Sequence, residues 1–212
     1  MFSLNPPMPI EPLKKWFIVF TGLSGAGKDT ASQRVLASSG SAYKAEVVKF
    51  SKPMKLAIAC LLNVPVEKLE DREYRDTLIP ELGVTPLELM VRSFEFLPAL
   101  HPNICVYNTD MYVRSRVKEA QDLHHVLVFN DVRQRQEAAL IANLKDSFGY
   151  NLLHIDVKHP VATPLSSDVN YPEVIDYLGY YSDRSYNAYN YWDIQTLHNK
   201  IGRILNAVSL LA

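Results

Sequence analysis

The stretch that decides the fold is Trp16-Phe-Ile-Val-Phe-Thr21, running into Gly22-Leu-Ser-Gly25-Ala26-Gly27-Lys28-Asp29-Thr30. Residues 16–21 form a continuous apolar run, the pattern of a strand buried on both faces of a parallel sheet. The glycines that follow let backbone N–H groups turn inward. A helix predicted from Lys28 to about Ser38 adds the positive end of its dipole. Gly22 to Lys28 fits the spacing G-x-x-x-x-G-K, in which the lysine reaches the β and γ phosphates of a nucleoside triphosphate. The residues expected to line this cradle are Gly22, Gly25, Ala26, Gly27, Lys28, Asp29 and Thr30. One departure stands out: Asp29 follows the lysine, and the hydroxyl arrives a place later at Thr30. A carboxylate beside phosphates is repulsive unless a cation or a substrate donor is near, so Asp29 is itself a candidate for the chemistry.

Outward from this corner, the apolar runs 45–50, 125–130 and 151–157 predict further strands, with a last short one over 188–192. Helices are predicted over 52–62, from Thr85 to near Pro98, over 103–121, 133–147 and 193–210. Thr85-Pro86-Leu87-Glu88 is a capping box with proline at the first helical position. Ser51 is expected to cap the helix before it, and Gly149 to stop the helix that ends near 147. Strand and helix alternate, which predicts a doubly wound α/β fold with a parallel sheet flanked by helices, the P-loop NTPase class. Residues 1–15 read as an extended arm. Residues 16–212 read as one domain, with a helical insertion over 51–121 and a lid over 158–186 whose prolines, serines and tyrosines show no clean period.

Composition bounds the function. A formal net charge of −1 supplies no global field for nucleic acid or anionic membrane. No apolar stretch reaches the length of a membrane span, and the proline-rich start lacks the pattern of a signal peptide. The two cysteines, Cys60 and Cys105, sit among apolar neighbours and are expected to be buried thiols in a reducing cytoplasm. The histidines show no metal-ligand spacing. The seven tyrosines of 171–192 are expected to pack the lid; the alternatives are stacking on a nucleobase and the surface of a homodimer.

A second motif, Asp131-Val-Arg133 with Glu137 four residues on, follows the third sheet strand in the chain order. Strand ends line the ligand crevice of such folds. Asp131 is expected to hold Mg²⁺ directly or through water, and Arg133 to clamp a phosphate through two parallel hydrogen bonds. Glu137, one turn along, is expected to orient that guanidinium or touch the sugar; the alternative is an ordinary helix start, with Asp131 as cap.

With both motifs in hand, the chain resembles the deoxynucleoside monophosphate kinases of tailed bacteriophages. SGAGKDT at 24–30, FSKPMK at 50–55, GVTPLELM at 83–90 and FNDVRQRQEAALI at 129–141 carry the likeness, with a weaker echo in YNYWDIQTLHNKIGRIL at 189–205. It spans nearly the whole chain after residue 15. Adenylate kinases likewise show G-K-x-T at the loop, which implies that Thr30 supplies the hydroxyl near Mg²⁺. The resemblance implies ATP and Mg²⁺ as cofactors, a dNMP as acceptor, and dNDP and ADP as products. It carries Lys28, Asp29, Thr30, Asp131, Arg133 and Glu137 over as functional positions, with Lys28, Asp29, Asp131 and Arg133 in catalysis. In the insertion it implies Lys55, Arg92 and Glu95 as acceptor-side residues. Leu87 stands where the family shows arginine, Ser93-Phe94 where it shows Gly-Thr, and the region of Cys105 lacks the family's tryptophan. The base accepted is therefore open. So are two alternatives: a kinase of another small phosphate-bearing substrate, as in the phosphomevalonate kinases of animals with their similar loop, and a nucleotide-binding or interaction protein with reduced turnover.

Overall fold

The protein is described from a computed structural model, covering residues 15–40, 43–120, 124–162, 164, 168, 170–191 and 193–210; the side chains of residues 98 and 105 lie outside the description. The proline-rich arm and Trp192 thus fall almost wholly beyond it. Five strands, β1 (Lys15–Thr21), β2 (Lys44–Val48), β3 (His125–Phe129), β4 (Asn151–Lys158) and β5 (Arg184–Tyr189), form one sheet in the order β2-β3-β1-β4-β5. Every neighbouring pair is parallel. The central position of β1 explains its composition: Phe17 to Phe20 are fully buried, as a strand covered on both faces must be.

Helices cover both faces. On one, α1 (Lys28–Ala37) and α8 (Ile194–Ala207) bury Val35, Leu197, Ile201 and Leu205 against Ile18, Phe20, Val128 and Ile155. On the other, α5 (Ile104–Glu119), α6 (Arg135–Phe148) and α7 (Tyr171–Tyr181) place Val113, Ile141, Leu144 and Leu178 against Phe17, Val19, Phe129 and Leu152. A smaller cluster of Met54, Ile58, Leu69 and Met90 holds together α2 (Lys52–Leu61), a 3-10 turn at Val66–Leu69 and α4 (Pro86–Leu100); α3 (Arg72–Asp76) lies between them in sequence. These pieces lie between β2 and β3 in the chain, as the predicted insertion does.

Local chemistry explains most boundaries. Thr85 Oγ1 accepts from Glu88 N at 3.1 Å, while Glu88 Oε2 accepts from Thr85 N at 2.9 Å, the reciprocal cap that opens α4. Gly149 ends α6 at φ 66°. Asp193 caps α8 by accepting from Gln195 N and Thr196 N. The expectations fail in four places. Residues 158–186, read as an aperiodic lid, contain the three-turn helix α7, whose Val174 and Leu178 are fully buried. The last strand runs over 184–189 rather than 188–192, because polar Arg184, Ser185 and Asn187 occupy an edge strand that needs only one covered face. Ser51 stands at the N-cap of α2 but makes no side-chain cap; its hydroxyl is engaged elsewhere. Cys60 is exposed on α2, not buried. Among the described residues, no helix is long and apolar enough to cross a membrane.

Candidate active site

The carboxyl ends of β1, β3 and β4 lie side by side, so the segments that leave them meet at one edge of the sheet. The glycine loop, residues 22–27, leaves β1 there. Two of its glycines are dictated by contact. Gly22 has φ +141°, and a Cβ on it would lie 2.3 Å from the Val157 carbonyl oxygen of β4. Gly27 has φ +103°, and its Cβ would lie 2.6 Å from Asn190 Nδ2. No L side chain fits either place without moving backbone or that amide. Asn190 also donates to Ala26 O at 2.9 Å, and His198 Nε2 donates to Thr30 O at 3.0 Å. The loop and the first turn of α1 are thereby fastened to the end of β5 and to α8.

Lys28 folds back over the loop. Its Nζ donates to Gly22 O at 2.6 Å and to Leu23 O at 2.9 Å. Burial lowers its pKa to about 8, with the Arg133 charge adding to the fall; Asp168, Asp29 and Asp131 act against it. Asp29 projects to solvent, where it accepts from Asn130 Nδ2 at 2.9 Å and pairs with Lys49 Nζ at 3.4 Å. Asn130 also donates to Ser32 Oγ at 3.0 Å, which ties the end of β3 to the start of α1.

Arg133 and Asp168 complete the edge. Ser24 N donates to Asp168 Oδ2 at 3.0 Å, and Arg133 Nη1 lies 3.2 Å from Asp168 Oδ1. Ser24 Oγ lies 3.4 Å from Arg133 Nη1 and 3.5 Å from Asp168 Oδ1. The Asp168 side chain is only 4% exposed. Nearby, Thr21 Oγ1 and Tyr171 Oη both donate to Asp156 Oδ1, at 2.9 and 2.7 Å. His154 Nε2 lies 2.8 Å from the same Thr21 hydroxyl, which, having given its proton to Asp156, accepts from it. Burial pushes His154 down to about 4, so the ring is neutral and acts as a fixed donor.

The structure brings Lys28, Asp29, Thr30 and Arg133 to one edge, and it gives three expected site residues other work. Asp131 was expected to hold Mg²⁺. Its oxygens instead accept from Phe50 N and Ser51 N, each at 2.9 Å, and from Ser51 Oγ at 2.7 Å, fixing the turn between β2 and α2. Glu137 was expected to orient the Arg133 guanidinium or touch a sugar. It is buried, and its Oε2 accepts from Arg133 N at 2.7 Å and Gln134 N at 2.9 Å, so it holds the backbone that opens α6. Burial and the nearby Asp131 charge raise its pKa to about 8 despite those two donors. Lys55 was expected at the acceptor; its Nζ pairs with Glu70 Oε1 at 2.7 Å inside the insertion. Arg92 and Glu95 are exposed on α4, and among the described residues no hydrogen bond or ion pair ties either to the loop.

Sequence reasoning missed Asn130, Lys49 and Asp168. The first two had a readable signal: each is the residue at or just past the carboxyl end of a strand, where ligand crevices form. Asp168, in the run Pro164-Leu-Ser-Ser-Asp168, had none.

A scan against protein-family models finds no match, and a search of curated proteins finds none. Among solved structures, a candidate kinase from Chloroflexus aurantiacus J-10-fl is similar at a TM-score of 0.48 and 10% identity, covering 92% of this chain and 98% of that one. The protein APE1195 is similar at a TM-score of 0.41 and 13% identity, covering 92% and 96%. Likeness at this level does not bear on chemistry; the strand order and the loop do.

Proposed function

We propose that the chain is a P-loop phosphotransferase of the nucleoside monophosphate kinase type, moving the γ-phosphoryl group of ATP to a deoxynucleoside monophosphate. One observation carries the reading: the Walker-spaced loop and the Arg133 guanidinium converge on a single carboxylate, Asp168, and so form an anion site built from two strand ends. Phosphoryl transfer asks for in-line positioning and charge neutralisation rather than covalent chemistry. In this reading the loop amides and Lys28 hold the donor phosphates. Arg133 steadies the transferring group or the acceptor phosphate, and its backbone is set by Glu137.

Mg²⁺ takes oxygen ligands, keeps several waters and binds through one or two carboxylates together with substrate phosphates. Exposed Asp29 and the Thr30 hydroxyl meet that demand at the loop. Asp131, already taken up by a turn, is not needed as a direct ligand. The ion would spread the charge that develops on the phosphates. Asn130 and Lys49 would hold Asp29 in place as that happens.

The test is a coupled ADP-release assay with ATP and each of the four dNMPs in turn. Turnover on any of them that is lost in Lys28→Ala supports the proposal. Folded protein that turns over none of them overturns it. A binding-only reading has one observation in its favour, the commitment of Asp131 to the β2–α2 turn. That reading predicts a calorimetric signal for ATP without phosphoryl transfer.

A further inference from the structure

The geometry points to a built-in competitor for the phosphate site: the Asp168 carboxylate stands in the anion position of the loop, and a nucleotide phosphate binds there only by displacing it. The inference rests on the nucleotide reading above and names how that site is held closed.

A carboxylate this deeply buried needs charged or hydrogen-bonding partners, since an unpaired one would be far too costly. Two of the groups that hold Asp168 are ones a phosphate would use. Ser24 N–H, an amide of the glycine loop, donates to Oδ2 at 3.0 Å. The Arg133 guanidinium meets Oδ1 at 3.2 Å. Ser24 Oγ stands within 3.5 Å of both groups. Oriented loop amides attract any anion, and a guanidinium pairs with carboxylate and phosphate alike. The carboxylate and a phosphate oxygen therefore compete for the same donors.

The Lys28 ammonium is likewise committed within the loop, to the carbonyls of Gly22 and Leu23. The observed affinity for phosphate then equals the intrinsic affinity reduced by the fraction of molecules whose site is open. Asp168 lowers that fraction.

Mutation separates a competitor from a helper by the sign of the effect. In Asp168→Asn the side chain keeps its shape and can still accept from Ser24 N, but it loses the charge that holds Arg133 and opposes phosphate. Calorimetric titration of the full chain with ATP, and with inorganic tripolyphosphate as a base-free probe, is expected to show Kd lower by about threefold to thirtyfold in D168N. Asp168→Ser, which is smaller and neutral, is expected to change Kd in the same direction and covers the case in which D168N folds poorly.

Wild-type binding that D168N and D168S leave unchanged or weaken overturns the inference while the nucleotide reading stands. Failure of wild type and both variants to bind either probe at 10 mM overturns both. A gain for tripolyphosphate equal to the gain for ATP places the competition at the phosphates. A gain for ATP alone contradicts it.

Discussion

Asp131 lies two residues before Arg133 in the chain and Asp168 pairs with its guanidinium, and the two acids do opposite things. Asp131 accepts from two backbone amides and a hydroxyl of the β2–α2 turn and so fixes its shape. Asp168 accepts from a loop amide and a guanidinium, donors that the proposed reading gives a second use on phosphate. The identity of the donor, more than the burial of the acid, distinguishes a carboxylate that builds the fold from one that a ligand can replace. The same contrast separates Glu137, spent on the α6 backbone, from Asp29, exposed and free to meet solvent.

The largest effect that sharpens this contrast belongs to the group both acids face. Lys28→Ala removes the ammonium that the proposed reading assigns to the donor phosphates and is expected to slow turnover at least 10³-fold, about 4 kcal/mol of barrier, in the ADP-release assay. The loss should fall in kcat/KM with little change in urea midpoint, because the contacts of Lys28 within the fold are two carbonyls that water can reach once the side chain is gone. A rate within tenfold of wild type would remove the loop from the chemistry.

Asp131→Ala comes next and should act on stability. It strands the Phe50 and Ser51 amides and the Ser51 hydroxyl; fully buried donors left without partners cost about 1–3 kcal/mol each, and these are only part-buried. A total loss of about 2–4 kcal/mol by urea unfolding is expected, with Asp131→Asn recovering part of it. If D131A instead kept its stability and lost only Mg²⁺-dependent rate, the metal role first read from the sequence would return, and the comparison with Asp168 would collapse.

The scaffold was legible in the sequence because its signals are local. The apolar run at 16–21, the capping box at 85–88 and Gly149 each settle an element from residues within one or two turns. Helix α7 escaped because only Val174 and Leu178 of Tyr171–Tyr181 are fully buried, among tyrosines that blur a period of 3.6. At the site, the motifs put Lys28 and Arg133 just past the ends of neighbouring strands but could not say where a carboxylate points. Asp131 and Asp168 are the same residue type in polar surroundings. Only the long-range contacts, eighty residues back for Asp131 with Ser51 and 144 back for Asp168 with Ser24, assign them.

Glu137 tests the structural half of the comparison through pH. Its pKa is near 8 in the fold and 4.5 in a free side chain, so the folded protein holds more protons across that window. Stability contributed by the neutral acid is present in full below about 4.5 and is lost as pH rises toward 8, at no more than about 1.4 kcal/mol per unit. Glu137→Gln keeps an acceptor for the two amides and cannot ionise. Urea midpoints measured from pH 5 to 8 should fall more steeply for wild type than for E137Q. Parallel slopes would mean that the carboxylate is charged throughout.

The smallest effect is on the ligand side, in the pH dependence of binding. Lys28 titrates near 8, depressed first by burial and then by Arg133, with Asp168, Asp29 and Asp131 holding it up in that order. Phosphates prefer its charged form, so ATP affinity should fall as pH rises from 7.5 to 9, by about tenfold at most, in a range where the phosphate groups have already ionised. Lys28→Arg, which stays charged throughout, should flatten the profile whatever it does to the absolute affinity. The two acids then separate once more. Removing the Asp168 charge should move the fall to lower pH by more than removing the Asp131 charge, because Asp168 gives Lys28 the larger support. A wild-type profile as flat as that of K28R would show that the ammonium is charged across the whole range, and equal displacement by D168N and D131N would show that the two carboxylates stand in the same relation to the loop.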